Sequence, residues 1–180
     1  MRPSWAVIRR TQPRSVRDQS VLDWGRTKFL DEAKTLARFR HRSIVRVSRL
    51  FEANSTAYMV LDFEMGPSLA EWRARRGPTL TQEDIDPIAR NLLDAVEAVH
   101  QAGILHRDIK PANVIMRSDT DPVLIDFGAA RQALSAQSRT VHAIVTPGYS
   151  PKEQYAVDVA RQGPWSDIYA LGATLYHLVS

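Results

Sequence analysis

The chain has 180 residues, of which 44% are hydrophobic and 24% charged, a composition and length that suit one soluble domain burying roughly 70% of its unfolded surface. It contains no cysteine, which excludes disulfides, thiolate metal sites and a cysteine nucleophile, and no apolar run approaches the roughly 18 residues of a membrane span. The net charge of +4 raises nucleic-acid binding as a reading, but the arginines are scattered among carboxylates, so that reading is not favoured.

The opening MRPSWAVIRR lacks a signal-peptide hydrophobic core, and with the absence of cysteine this fits a cytoplasmic setting. Residues 10–26 are polar and aperiodic and are expected to form a loop. A helix is predicted in TKFLDEAKTLARFRH, where Phe29, Ala33, Leu36 and Ala37 recur at helical spacing. Next, IVRVSRLFEA and TAYMVLDFE are β-rich runs separated by Asn54-Ser55, the pattern of an antiparallel hairpin. Ser68 is placed to cap a short helix beginning at Leu69, whose Arg73, Arg75 and Arg76 are expected on a solvated face.

Thr81 and Asp84 form a capping-box pattern that opens a longer helix. Its apolar stripe is Ile88, Leu92, Leu93, Ala95, Val96 and Val99, and Gly103 is its natural stop. SDTDP is expected to turn between VIM and PVLID, which then pair as short strands. Nothing periodic appears from Ala129 to Tyr155, a length of irregular chain that tends to be functional or mobile. The final SDIYALGATLYHLVS is nearly all apolar and predicts a buried helix. His100, His142 and His177 have no partner at metal-ligand spacing, and Trp5, Trp24, Trp72 and Trp165 are expected to pack.

The chemistry concentrates in ILHRDIKPANVIM. Asp108 supplies a carboxylate that can accept a hydroxyl proton, Lys110 an ammonium to face developing negative charge, and Asn113 an oxygen for a hard cation. Asp126 follows at the end of a strand expected to lie beside the one that Asn113 begins. Their oxygens are thereby able to converge on Mg²⁺, and the set suits phosphoryl transfer from a metal-bound nucleotide.

At this point the sequence resembles the protein kinase family. His106-Arg107-Asp108-x-Lys110-x-x-Asn113 is similar to the catalytic loop, and Asp126-Phe127-Gly128 to the metal-binding motif, in the right order. TPGYSPKE, residues 146–153, resembles the close of the activation loop and brings Glu153 to a position where the family keeps a glutamate. Asp167 resembles the buried aspartate opening the large lobe's central helix, Glu32 the glutamate of the small-lobe helix, and Leu61-Asp62-Phe63-Glu64 the gatekeeper and hinge.

The resemblance implies an α+β, two-lobed fold, with 1–64 a partial small lobe and 65–180 a large lobe running through its central helix. It implies ATP and Mg²⁺ as cofactors and a protein substrate with a Ser or Thr acceptor. Lys110 points to serine/threonine kinases, and the wording looks most like bacterial members. Asp108, Lys110, Asn113 and Thr146 would be catalytic; Asn113 and Asp126 would hold metal; Asp62, Glu64, Ile115, Glu32, Lys110 and Asp126 would contact the nucleotide. Arg107 would pair with a phosphate on Ser135, Ser138 or Thr140, and Val47, Leu36, Phe127 and His106 would stack between the lobes.

The pattern also departs from the family. There is no G-x-G-x-x-G and no lysine before Lys28, and the nearest imitation of the lysine strand is Ala6-Val7-Ile8-Arg9. A chain truncated at both ends is therefore expected, with unburied apolar surface and a marginal fold. A catalytically impaired kinase-like binding module is the alternative function. Small-molecule phosphorylation is disfavoured because Lys110 and the loop ending in TPGYSPKE suit a protein acceptor.

Overall fold

The structure is a computed structural model that describes residues 27, 30, 31, 33–53, 56–77, 79–127, 146–155 and 161–180. Ala6–Arg9, Phe29, Glu32, the Asn54-Ser55 turn, Gly128 and the three candidate phosphosites lie outside the described residues, as do Trp5, Trp24 and His142.

Residues 33–38 are helical and bury Ala33 and Leu36, as their spacing predicts. The helix ends before Phe39-Arg40-His41, short of its predicted extent. β1 (Val47–Ala53) and β2 (Thr56–Leu61) pair antiparallel, Val47 opposite Leu61, with an irregularity between Val47 and Arg49. The strand begins later than the sequence suggests. Ile44 instead makes a parallel bridge to Leu124 across the molecule, because Ile44 and Val45 are needed as core residues there.

α1 (Leu69–Arg75) starts at the expected cap: Ser68 accepts from the Glu71 N–H while Glu71 accepts from the Ser68 N–H, a reciprocal pair worth about 0.5–2 kcal/mol. Its arginines are not merely solvated. Arg73 donates to the Leu178 carbonyl at 2.8 Å, and Arg76 lies over the Trp72 ring and pairs with Asp119. Trp72 is buried and donates to Asp119 at 2.9 Å.

α2 (Gln82–Gln101) opens on the Thr81–Asp84 capping box and buries Ile88, Leu92, Ala95, Val96 and Val99. Leu93 is exposed, against expectation. It stands one residue, about 100° of helix, from Leu92 and so falls off the stripe. Gly103 takes φ +72°, the left-handed geometry that ends a helix.

A 3-10 turn, Pro111–Asn113, leads into β3 (Val114–Ser118), which pairs antiparallel with β4 (Asp121–Leu124). Both strands run into the predicted turn, leaving only Asp119 and Thr120 between them. Neither long side of this hairpin is bare. On β4, Val45 N–H donates to Leu124 O and Leu124 N–H to Ser43 O, each at 2.9 Å; on β3, Met116 N–H donates to Pro67 O at 2.9 Å, and Ser68 bridges Ile115. Gly66 lies so close to this edge that a Cβ there would overlap the Met116 carbonyl.

Lys152–Tyr155 forms one helical turn, α3, where the sequence shows no periodicity. α4 (Pro164–Val179) corrects a prediction more sharply. One face buries Ser166, Asp167, Ala170, Leu171, Thr174 and Leu178, while Trp165, Ile168, Tyr169, Tyr176 and Val179 are exposed. Its uniform apolarity made it look buried all round, but helical geometry presents only one face to α2. The main hydrophobic cluster among the described residues runs from Leu36 and Val47 through Ile88, Leu92 and Val99 to Phe127, Leu171 and Leu178. Each large side chain fully buried in it contributes about 1.5–3 kcal/mol relative to exposure.

Candidate active site

The loop between α2 and β3 carries Asp108, and its conformation is imposed from beneath. Asp167, in the first turn of α4 and 1% exposed, accepts from His106 N–H at 2.8 Å and Arg107 N–H at 2.7 Å. His100 lies 2.9 Å from the same carboxylate, so this histidine anchors two helices rather than a metal. Arg107 is thereby held at φ +66°, a left-handed geometry costing a non-glycine residue about 1–2 kcal/mol. Gln154 fixes the following peptide by donating to Arg107 O at 3.2 Å.

His106 is fully buried, 4.5 Å from the Phe127 ring by centroids. Burial pushes its pKa down from 6.5, although Asp167, Asp108 and Asp126 pull the other way. Asp108 N–H donates to its Nδ1 at 3.3 Å, so the neutral ring carries its proton on Nε2. Leu36, Val47 and Phe127 lie in one hydrophobic cluster, and the His106 ring packs on Phe127.

The side chain of Asp108 is 5% exposed and ringed by donors. Lys110 Nζ lies 3.1 Å from Oδ1 and 3.0 Å from Oδ2, and Thr146 Oγ1 donates to Oδ1 at 3.2 Å. Lys110 also reaches Thr146 Oγ1 at 3.3 Å. Asn113 Nδ2 donates to both Asp108 O (2.9 Å) and Asp108 Oδ2 (2.6 Å). Asp108, Lys110, Asn113 and Thr146 thus form one connected group.

Asp126 stands just beyond β4, exposed, at φ +59°. Ile125 N–H donates to Asn113 O at 2.9 Å, so Asn113 and the Ile125–Asp126 step face each other across the open end of the hairpin. Among the described residues, Arg107 and Asp126 are the only non-glycine residues at positive φ, and both belong to this site, where backbone strain commonly collects. With Asn113 Nδ2 committed to Asp108, its carboxamide oxygen is the atom left for a cation. An amide oxygen and a carboxylate are hard donors suited to Mg²⁺, which keeps water and phosphate oxygens as its remaining ligands. Among the described residues no three His, Cys, Asp or Glu side chains gather to hold a metal by themselves.

The other predicted residues sit apart from this group. Asp62 accepts at its carboxylate from the Ser48 hydroxyl, and its N–H donates to Arg46 O at 2.9 Å. Glu64 is 3.5 Å from Arg117, and Phe63 and Met65 are 66% and 75% exposed. Ile115 is half-buried on β3. Glu153 accepts from Ser166 Oγ at 2.7 Å. Sequence reasoning missed His100 and Gln154 as supports of the loop. Their partners lie 67 and 47 residues away, and neither leaves a local signal.

Residues 10–180 match the protein kinase domain model, starting upstream of the first recognisable motif. The chain belongs to the protein kinase family. It is 39% identical over 137 residues to serine/threonine-protein kinase PknA of Nostoc sp., an alignment covering 72% of this chain and 24% of that one. The solved PpkA-294 apo form superposes with a TM-score of 0.71 at 37% identity, covering 92% of this chain and 57% of that one. Rad53 in complex with AMP-PNP gives a TM-score of 0.66 at 26% identity, covering 84% and 37%. The chain spans about a quarter to two-fifths of the length of the curated relatives it matches. Its fold is that of a kinase domain in part, with small antiparallel sheets and a mainly helical body. No helix among the described residues is long and apolar enough to cross a membrane.

Proposed function

We propose that the protein transfers the γ-phosphoryl group of ATP to serine or threonine hydroxyls of proteins, in a cytoplasmic setting where ATP and Mg²⁺ are supplied. The observation that carries the reading is the buried Asp108 carboxylate, bracketed by Lys110, Thr146 and Asn113 beside the hairpin end that bears Asp126. The serine/threonine kinase names of the relatives and the AMP-PNP bound to Rad53 support the same acceptor and donor classes.

In the proposed reaction the acceptor oxygen attacks the γ-phosphorus, the bond to the β–γ bridging oxygen breaks, and ADP leaves with that electron pair. The hydroxyl proton passes to Asp108, oriented by Thr146 and Asn113. Lys110, within reach of Asp108 and Thr146, balances charge on the moving phosphoryl group. Asn113 and Asp126 are the residues to hold Mg²⁺, which when bound neutralises phosphate charge. Asp62, Glu64 and Ile115 are the proposed adenine contacts, Asp62 and Glu64 through backbone groups, with Glu32 assigned to the small-lobe helix. Residues 1–64 and 65–180 are proposed as the parts of the two lobes. No nucleic-acid partner is proposed, since Arg73 and Arg76 are engaged within the fold.

Asp108→Asn should lower phosphate transfer to a generic acceptor protein by about 10²–10⁴, or abolish it. Undiminished transfer in that variant would overturn the assignment. A second reading is a kinase-like binding module without turnover. Thermal stabilisation by MgATP with no transfer in the unaltered protein would select it.

A further inference from the structure

Arg117 is on β3, four residues past Asn113. Its guanidinium makes a bidentate contact with Asp121, Nε to Oδ2 at 3.0 Å and one Nη to Oδ1 at 3.1 Å. The same Nη donates to the Arg42 carbonyl at 2.6 Å, and the other Nη lies 3.5 Å from Glu64 Oε2. Arg42 closes the ring through Asp121 Oδ1 at 3.2 Å. This pairing holds the Asp121 carboxyl below its ordinary range.

One side chain therefore joins three pieces of chain that meet nowhere in sequence. Arg42 begins the segment that pairs with β4 and rises into β1; Asp121 opens β4; Glu64 lies in the segment returning from β2 to β3. The hairpin that Arg117 grips has Asn113 and Asp126 at its open end. A displacement of residues 62–65 relative to that hairpin would change the distance between proposed adenine contacts and proposed metal ligands. The planar five-donor fork meets four oxygens at once, both of Asp121, the Arg42 carbonyl and Glu64 Oε2, one more than the three donors of an ammonium can serve.

We infer that Arg117 is a positioning residue for nucleotide, fixing the Asp62–Met65 segment to the hairpin that carries Asn113 and Asp126. This rests on the kinase reading above, and it adds a residue outside the motifs that suggested that reading. The contacts of Arg117 are with Asp121, Glu64 and the Arg42 carbonyl rather than with the Asp108–Asn113 group. Its effect belongs to ATP affinity rather than to the chemical step.

The test is isothermal titration of full-length protein with ATP in the presence of Mg²⁺, alongside transfer kinetics. Arg117→Met keeps the aliphatic stem and removes the fork. It should raise the Kd for ATP about three- to tenfold, with kcat and the KM for the acceptor protein within about twofold. Adding Glu64→Gln to that variant should cost nothing further, whereas Glu64→Gln alone should raise Kd about twofold or more. An unchanged Kd in Arg117→Met overturns the inference, and so does a parallel rise in acceptor KM, which would report general loosening. Should Arg117→Met fail to fold, Glu64→Gln alone decides: raised Kd supports the inference, unchanged Kd overturns it. If the unaltered protein binds no ATP, the kinase reading falls together with this inference. ATP binding that is indifferent to Arg117 removes this inference alone.

Discussion

The two ends of the proposed nucleotide site are built from different physics. At the reacting end, the Asp108 loop is fixed by groups almost wholly out of water: Asp167 at 1% exposure accepting two backbone N–H groups, a fully buried His106, and Asn113 bound to Asp108 twice. At the adenine end, the segment around Asp62 and Glu64 has its neighbours Phe63 and Met65 largely in solvent and is tethered by a partly exposed ion pair. Buried charge-assisted hydrogen bonds lose little to screening, while exposed pairs are weakened by salt. The proposed catalytic end is thus held by buried contacts, and the proposed adenine end by a partly exposed ion pair.

Three experiments test this contrast. The largest effect should come from Asp167→Ala, which strands the buried His106 N–H, the partly buried Arg107 N–H and the half-buried His100 ring. The expected loss is about 3–5 kcal/mol of unfolding free energy, read by denaturant titration, because an uncompensated buried polar network is left. A loss under about 1 kcal/mol would mean the loop holds its shape without that anchor.

The second uses pH. The His106 pKa is lowered in the folded protein by burial, so the unfolded chain binds a proton first as pH falls below about 6.5. Its contribution to stability is complete above that value and declines as pH drops from there toward the folded pKa. Melting temperature should fall between pH 7.5 and pH 5.5, and the fall should shrink in His106→Asn. An unchanged fall in the variant would assign the acid sensitivity elsewhere.

The smallest effect is expected at the adenine end. Glu64→Gln should alter global stability by less than about 1 kcal/mol at low salt, and by nothing measurable at high salt. A larger or salt-insensitive cost would erase the distinction between the two ends.

What could be read in advance follows the range of the interactions. Ser68 with Glu71 and Thr81 with Asp84 act over one helical turn, so both caps are legible as spacing. The Asp108–Asn113 group is legible for the same reason: its polar residues share one short loop, and the hairpin returns Asp126 beside it. The anchors are not legible, because Arg117 meets Arg42 across 75 residues and Asp167 meets His106 across 61. Composition also misled. α4 is apolar on every side, yet only the face carrying Ala170, Leu171 and Leu178 packs, leaving Trp165 and Tyr176 outside. The arginines near Trp72 seemed free to face water, but Arg73 holds the last turn of α4.

The covered edges of β3 and β4 bear on self-association. A strand whose backbone donors and acceptors are open can recruit the same strand from another molecule and seed ordered aggregates. Here residues 43–45 cover one side of the hairpin, the Pro67-Ser68 pair covers the other, and Gly66 brings the chain against the Met116 carbonyl. Strand addition at these positions would first require displacing native chain, so the hairpin flanked by the proposed Mg²⁺ ligands is shielded from misassembly by the segments that lead into and out of the β1–β2 hairpin.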